Sequence, residues 1–195
     1  MTIVLDLLGS WIIRASLITV MLTLTVSLNN ALYQSNQQAT AKQMIVAVDS
    51  IIYSDLNMAG YNVVPTTYPY YAFGTPGSAT ITDTNVTFYG DLNGGGTPET
   101  IRYWTSYDNT TGLRKLYRYV NNENGGKDLS LGNNFKSVAF KYYNMYGKVT
   151  TRADSVVAVR VQLTTQAANS VSSAYSSITG KFTVTTDFQV HPANL

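Results

Sequence analysis

The sequence predicts an α+β protein: a long N-terminal α-helix over about residues 2–58, then an antiparallel β-rich globular head. Three observations lead there. From Leu5 to about Met58 there is no proline, and Gly9 is the only glycine. After Gly60 the character changes to Pro, Tyr and Gly in VVPTTYPYYAFGTPGS, Val63 to Ser78. Beyond that, β-branched and aromatic runs alternate with Gly- and Asn-rich turns.

The helix falls into two halves. Thr2 to Leu28, TIVLDLLGSWIIRASLITVMLTLTVSL, is apolar nearly all round and broken only by Asp6 and Arg14. About 20 apolar residues cross a bilayer, so the stretch is long enough to span one. Each charge inside it costs about 2.5–3.5 kcal/mol on insertion scales, so each needs a partner. It lacks the positive start and small-residue cleavage site of a secretory signal. Past Leu28 the pattern turns amphipathic, with Leu32, Ala39, Met44, Val48, Ile51, Ile52 and Leu56 at helical spacing. Gly60 is a natural stop. The expected organisation is a transmembrane or filament-core half over 1–30, an amphipathic half packed on the head over 31–59, and the head over 60–195.

Six strands are expected in the head: Ile81–Tyr89, Thr100–Tyr107, Leu113–Val120, Ser137–Asn144, Ser155–Thr164 and Lys181–Val190. Turns at Asn109–Gly112, Asn121–Gly126 and Asn144–Gly147 separate several of them. Val157, Val159 and Val161 should share one face, as should Phe182, Val184 and Phe188. The spacing favours an antiparallel meander. Residues 165–180, TQAANSVSSAYSSITG, read as a loop or short helix.

Composition removes several function classes. The 195-residue chain is 12% charged with a formal net charge of +2, and no basic run marks a nucleic-acid surface. There is no cysteine, so thiolate catalysis, zinc–thiolate sites and disulfides are excluded. The single histidine, His191, reads as a tail residue; one His builds no His-based triad or multi-His metal site. Asp49, Asp55 and Glu99 form no recognisable acid–base pair, so an enzyme is not expected.

A long helix, apolar first and amphipathic second, followed by a β-rich head, resembles the type IV pilin and type II secretion pseudopilin superfamily. Leu116-Tyr117-Arg118 after a hairpin, Phe140-Lys141-Tyr142-Tyr143 running to Tyr146-Gly147, and Val156 to Leu163 are similar in order to the larger J-like and W-like minor subunits. With Met1 removed, Thr2-Ile3-Val4-Leu5-Asp6 places an acidic residue fifth, as in that family. The resemblance implies that Asp6 pairs with the amino terminus of a neighbouring subunit and sets filament register. Arg14 is a second candidate partner for Asp6, on the same or a neighbouring helix. The family carries a short basic leader ending in glycine. None precedes Asp6 here, so either the sequence is already processed or its lineage lacks the leader.

DLNGGGTPE, Asp91 to Glu99, opens like a calcium loop. Asp91, Asn93, Thr97 and Glu99 fall near ligand positions, but Gly95 and Arg102 stand where a side-chain oxygen and a bidentate acid belong. The preferred reading is a glycine-rich hairpin loop, with bound calcium the lesser alternative; no other metal or cofactor is expected. Asn85 and Asn109 begin N-glycosylation sequons. Tyr68, Tyr70, Tyr71 and Phe73 form an aromatic cluster that either packs under its own loop, the preferred reading, or binds glycan or another subunit.

The expected function is that of a structural subunit of a type IV pilus-like extracellular filament, polymerising through its apolar helix. Its expected partners are copies of itself, the membrane before assembly and an inner-membrane assembly machinery, with no nucleic acid. Alternatives are a low-copy minor pseudopilin of a type II secretion-like system and a membrane-anchored surface adhesin.

Overall fold

The computed structural model describes residues 2–63, 73–74, 82–121, 123, 125–173 and 176–192, with side chains at all of these except 2–5 and 167–182. By compactness the chain divides into two units, Met1–Thr40 with Ala168–Gly180, and Ala41–Ala167 with Lys181–Leu195.

One helix, α1, runs unbroken over Thr2–Asn57, 56 residues, or about 84 Å at 1.5 Å per residue. It has no proline, and its one glycine, Gly9, is insufficient to break it. In the larger unit its inner stripe is Ala41, Ile45, Val48, Ile52 and Leu56, followed by Ala59 just past the helix end, all buried. Their three- and four-residue spacing keeps them on one face. The stripe differs from the expected one at its start. Leu32 and Ala39 are exposed, Met44 is only partly buried, and Ile45 takes the central place. Many apolar residues in this region fit more than one stripe, and contact with the sheet selects among them.

The helix ends where predicted. Gly60 adopts φ +80°, and its N–H donates to the Tyr89 carbonyl at 2.8 Å. The strained turn after a helix needs that left-handed conformation, which glycine reaches freely.

Six strands form one sheet in chain order: β1 Val86–Gly90, β2 Glu99–Asp108, β3 Leu113–Val120, β4 Leu129–Tyr143, β5 Ala158–Ser173 and β6 Ser176–Val190. The pairings β1–β2, β2–β3, β3–β4 and β4–β5 are antiparallel. Strand β4 is shared: Leu129–Phe135 pairs with β3 through two register shifts, and Phe135–Tyr143 pairs with β5. Bulges of this kind bend a strand and increase its twist. Beside the free stretch of β4, the Phe140 N–H donates to the Asp83 carbonyl at 2.8 Å and the Tyr142 hydroxyl to the Thr82 carbonyl at 3.2 Å. The segment preceding β1 thus covers β4.

The sheet's inner face and the α1 stripe enclose one core. Phe88, Ile101, Tyr103, Leu116, Phe135, Phe140, Val159, Val161 and Leu163 are all fully buried there. Val184 and Phe188 of β6 pack at its margin. Val157 does not share the inward face of Val159 and Val161: it precedes β5 and is exposed. Phe73 lies in the core, tilted against Phe88 and edge-on to Tyr142. For this member of the aromatic cluster, burial in the core is the observed state. Tyr68, Tyr70 and Tyr71 lie outside the described residues.

Strands β4, β5 and β6 are longer than expected. Residues 165–173 and 176–180 are strand, not loop or helix. A hairpin arm needs only paired backbone groups, and Ser and Thr supply no hydrophobic alternation to announce it. In the opposite sense, β1 begins at Val86: Thr82 instead caps a turn, its hydroxyl bonded to Asn85.

Gly90 is where helix end and sheet approach most closely. A Cβ built there would lie 2.2 Å from the Met58 carbonyl oxygen. Because backbone is the obstacle, Gly90→Ala is expected to destabilise the protein by about 1–3 kcal/mol, as overpacking does. Thermal unfolding of the full chain in detergent measures it; an unchanged melting temperature would show that the helix end yields.

Candidate functional site: a charged notch on an apolar helix, and two buried anchors

The expected filament residues lie on the N-terminal half of α1. Asp6, Gly9, Ser10, Ile13 and Arg14 line one shallow notch. The spacings of three, four, seven and eight residues from Asp6 put them on one helix face. Asp6 and Arg14 are eight residues apart, about 12 Å along the axis. No ion pair joins them among the described residues. Gly9 has open space where a side chain would be.

Around this notch the apolar side chains have no cover. Leu7, Trp11, Ile13, Leu22 and Leu28 are each more than 60% exposed. The helix contains an 18-residue window of mean hydropathy 1.8, none of it buried, which is long and apolar enough to cross a membrane. Four hydroxyls within the stretch are satisfied internally. Ser16, Thr19, Thr23 and Thr25 each donate to the carbonyl four residues back, at 2.7–2.9 Å. This removes most of the penalty for placing hydroxyls in an apolar medium.

The DLNGGGTPE loop is a turn closed on itself. Asp91 is fully buried. Its Oδ1 accepts from the Gly95 N–H at 3.0 Å, and its Oδ2 from the Gly96 N–H at 2.7 Å and the Asn62 amide at 2.8 Å. Glu99 accepts from the Leu92 N–H at 2.8 Å and from the Asn93 side-chain amide. All four carboxylate oxygens therefore face N–H donors. Thr97 is exposed, and Asn93 presents its amide nitrogen to Glu99. Among the described residues no group of three or more His, Cys, Asp or Glu is placed to hold a metal ion. The glycines serve the nest: Gly94 and Gly96 take φ +71° and +77° and turn successive amides inward. Through Asn62, and through the Asp91 N–H donating to the Tyr61 carbonyl at 3.1 Å, the loop fastens the chain leaving α1.

The second anchor was not visible in the sequence as a site. Arg118, known there only as part of Leu116-Tyr117-Arg118, reaches inward from β3 to Asp55 on α1. Its Nε lies 2.6 Å from Asp55 Oδ2 and its Nη2 3.2 Å from Oδ1, a two-pronged pair. The Tyr103 hydroxyl donates to Asp55 at 2.5 Å, and Arg118 also meets Glu123 at 2.5 Å. Side-chain exposure of the central pair is 10% and 9%. Burial works against the Arg118 charge, yet the hydrogen bonds to Asp55 and Glu123 outweigh it and raise its pKa. Burial, then the Asp55 charge, pushes the Tyr103 hydroxyl well above its usual range, so it stays a donor. The alternation of Leu116, Arg118 and Val120 sends all three side chains inward, which fixes Arg118 there. Asp49, on the same helix, lies apart from this pair beside Thr186, its pKa raised by desolvation.

Asn85 and Asn109 are both exposed, at the approach to β1 and in the β2–β3 turn. His191 is exposed beside Gln189.

No family model matches the chain, and no curated protein matches it. Its functional reading therefore rests on the residues and geometry above.

Two stability tests separate the anchors. Arg118→Ala leaves Asp55 buried without its cation and should destabilise by about 3–5 kcal/mol, whereas Arg118→Met, which keeps the volume, together with Asp55→Leu should recover much of that. Denaturant unfolding of the full chain reads both; equal losses in the two variants would mean that packing, not charge, holds the seam. For Asp91, the hydrogen bond from Asn62 leads the causes that lower its pKa below the ordinary 3.8. A depressed carboxylate adds stability above its unfolded pKa and loses it as pH falls through its folded value. Wild type should thus exceed Asp91→Asn in stability at neutral pH, and the two curves should converge below pH 3.8. A gap that persists in acid would assign the effect to shape instead of charge.

Proposed function

We propose that the chain is a structural subunit of a type IV pilus-like extracellular filament, inserted in a membrane before assembly and working mechanically, not as an enzyme. One observation carries this reading: the N-terminal half of α1 leaves a continuous apolar surface uncovered, with Leu7, Trp11, Ile12, Ile13, Leu17 and Ile18 all exposed. A surface of that extent needs lipid or other protein against it. Lipid covers it before assembly, and neighbouring copies of the same helix cover it in the filament. Asp6 and Arg14 belong to this reading because a lone charge in an apolar medium requires an opposite charge. The resemblance in helix pattern and in the order of the head motifs supports the same assignment. The heads then form the outer shell, with Asn85 and Asn109 accessible to any glycosylating host.

Electron microscopy of filaments sheared from native cells, with mass spectrometry of their main protein, tests the proposal. This chain should dominate them. A trace amount would move it to a low-copy priming or capping subunit, and filaments without it would leave a membrane-anchored surface protein. Asp6→Ala should keep the head folded and the chain in the membrane while abolishing assembly. Wild-type filament yield from that variant would remove Asp6 from the register.

A further inference from the structure

We propose that the open edge of β6 accepts an extended strand of a foreign polypeptide, whose lysine side chain seats in a cleft between β6 and α1. The site goes beyond the filament reading and does not depend on it. Every residue it uses lies within the larger unit. The cleft is about 270 Å³, lined by Asp49, Ser50 and Tyr53 of α1 and by Thr186 and Phe188 of β6. Tyr53 and Phe188 form two aromatic walls, with ring centroids 6.2 Å apart and planes at 59°. Asp49 supplies the charge. The Thr186 hydroxyl donates to its carboxylate, yet Oδ1 is buried with no hydrogen-bond partner among the described residues. None of the ion pairs among the described residues includes Asp49. A carboxylate partly out of water costs free energy until a cation meets it.

The walls choose the cation. A hard metal ion needs several oxygens, of which a lone carboxylate supplies too few. Aromatic faces attract an organic cation. A quaternary ammonium has no N–H to give, whereas a primary ammonium has three donors, matched here by the Asp49 carboxylate and the Ser50 and Thr186 hydroxyls. A guanidinium fork wants both oxygens of an open carboxylate, and Oδ1 is buried. A lysine fits, with its apolar stem between the rings and its charge at Asp49. The edge beside the cleft determines how that lysine is carried. β6 is last in the sheet order, and among the described residues no strand pairs with its far edge. Val184 to Val190 contains neither proline nor lysine, residues that blunt an open edge. Such an edge is a template for an added strand. Asp187 meets Arg160 and Gln162, and Thr185 meets Thr164, on the outer face. Thr186 and Phe188 therefore face α1. Residues level with one another in paired strands share a face. An added strand thus directs alternate side chains toward α1, and the one level with Thr186 or Phe188 enters the cleft.

A fluorescent, end-blocked heptapeptide of alternating Thr and Val with a central lysine is titrated into the full chain in detergent. A second peptide carries norleucine in place of the lysine, which keeps the stem and removes the charge. The lysine peptide should bind, and amides of β6 should gain protection from hydrogen exchange. Asp49→Asn should weaken that binding by about tenfold, and Tyr53→Ala by a few-fold, roughly the strength of a cation–ring contact. The norleucine peptide should bind weakly, and equally to wild type and Asp49→Asn. Thermal unfolding is the folding control for both variants. Equal binding of the two peptides to wild type would overturn the lysine cleft, whatever the variants do. Free butylamine bound as tightly as the lysine peptide, with no new protection in β6, would overturn the strand seating. Failure of the peptide to bind a chain that sedimentation shows to be monomeric would overturn the site. Failure to bind a dimeric chain would give the edge to a second copy and overturn the foreign strand.

Discussion

The architecture of the head depends on a seam between one helix face and one sheet face, and the Asp55–Arg118 pair fixes where that seam lies. The stripe from Ala41 to Ala59 is wholly aliphatic, and hydrophobic contact is non-directional, so it sets the position of α1 on the sheet only loosely. The pair removes that freedom. Two charges out of water contribute little net stability, because desolvation offsets their attraction. Misplacing one strands the other, and that penalty is large. With Tyr103 donating to the same carboxylate and Glu123 holding the far side of Arg118, the arrangement tolerates only one setting of helix against sheet.

The Asp91 loop acts at the helix end by a different means. Gly60 returns to the Tyr89 carbonyl, Asp91 to the Tyr61 carbonyl, and the Asp91 carboxylate gathers Asn62 and two glycine amides. A glycine-rich loop between β1 and β2 thus becomes a clamp on the chain leaving α1. Gly90 lets the two backbones come close enough for it to work. The β5–β6 edge is tied separately. Arg160 grips Asp187 across the strands at 2.7 and 2.5 Å, with Gln162 added at 3.0 Å. Arg160, foremost, holds the Asp187 carboxyl down to about 2. These ties lie on the outer face of β5 and β6, opposite the buried Val159, Val161 and Leu163.

How much of this the sequence disclosed depends on the range of each interaction. The long helix, its stop at Gly60 and the meander were legible because propensity, proline absence and turn glycines are local. β3 was read to its exact ends, since Leu113 and Val120 are bounded by Gly112 and Asn121. The arms of β5 and β6 were not, because residues such as Gln166 and Thr179 announce no face and their strand is defined by its partner. The inner stripe was misplaced by one residue at Met44 and Ile45, where only the sheet decides. The Asp55–Arg118 pair spans 63 residues, and no spacing rule reaches that far. Asp91 shows a subtler limit. A cation loop and an amide nest both bring oxygens together over a glycine turn, so the motif alone does not reveal whether the centre is to be positive ion or N–H.

The two halves of α1 handle charge by the same rule under different conditions. In the head, Asp55 meets its cation within the chain, and the sheet brings the partner from a distant strand. In the apolar half no described residue supplies one, and Asp6 and Arg14 are about 12 Å apart along the helix axis. A rigid helix cannot fold back to join them, and the notch between them is open. Under the proposed function, the partner arrives from outside the chain. That reading rests on helix geometry and the penalty for lone charge. In the proposed filament, the chain completes one charge pair internally and leaves the other to be completed by contact.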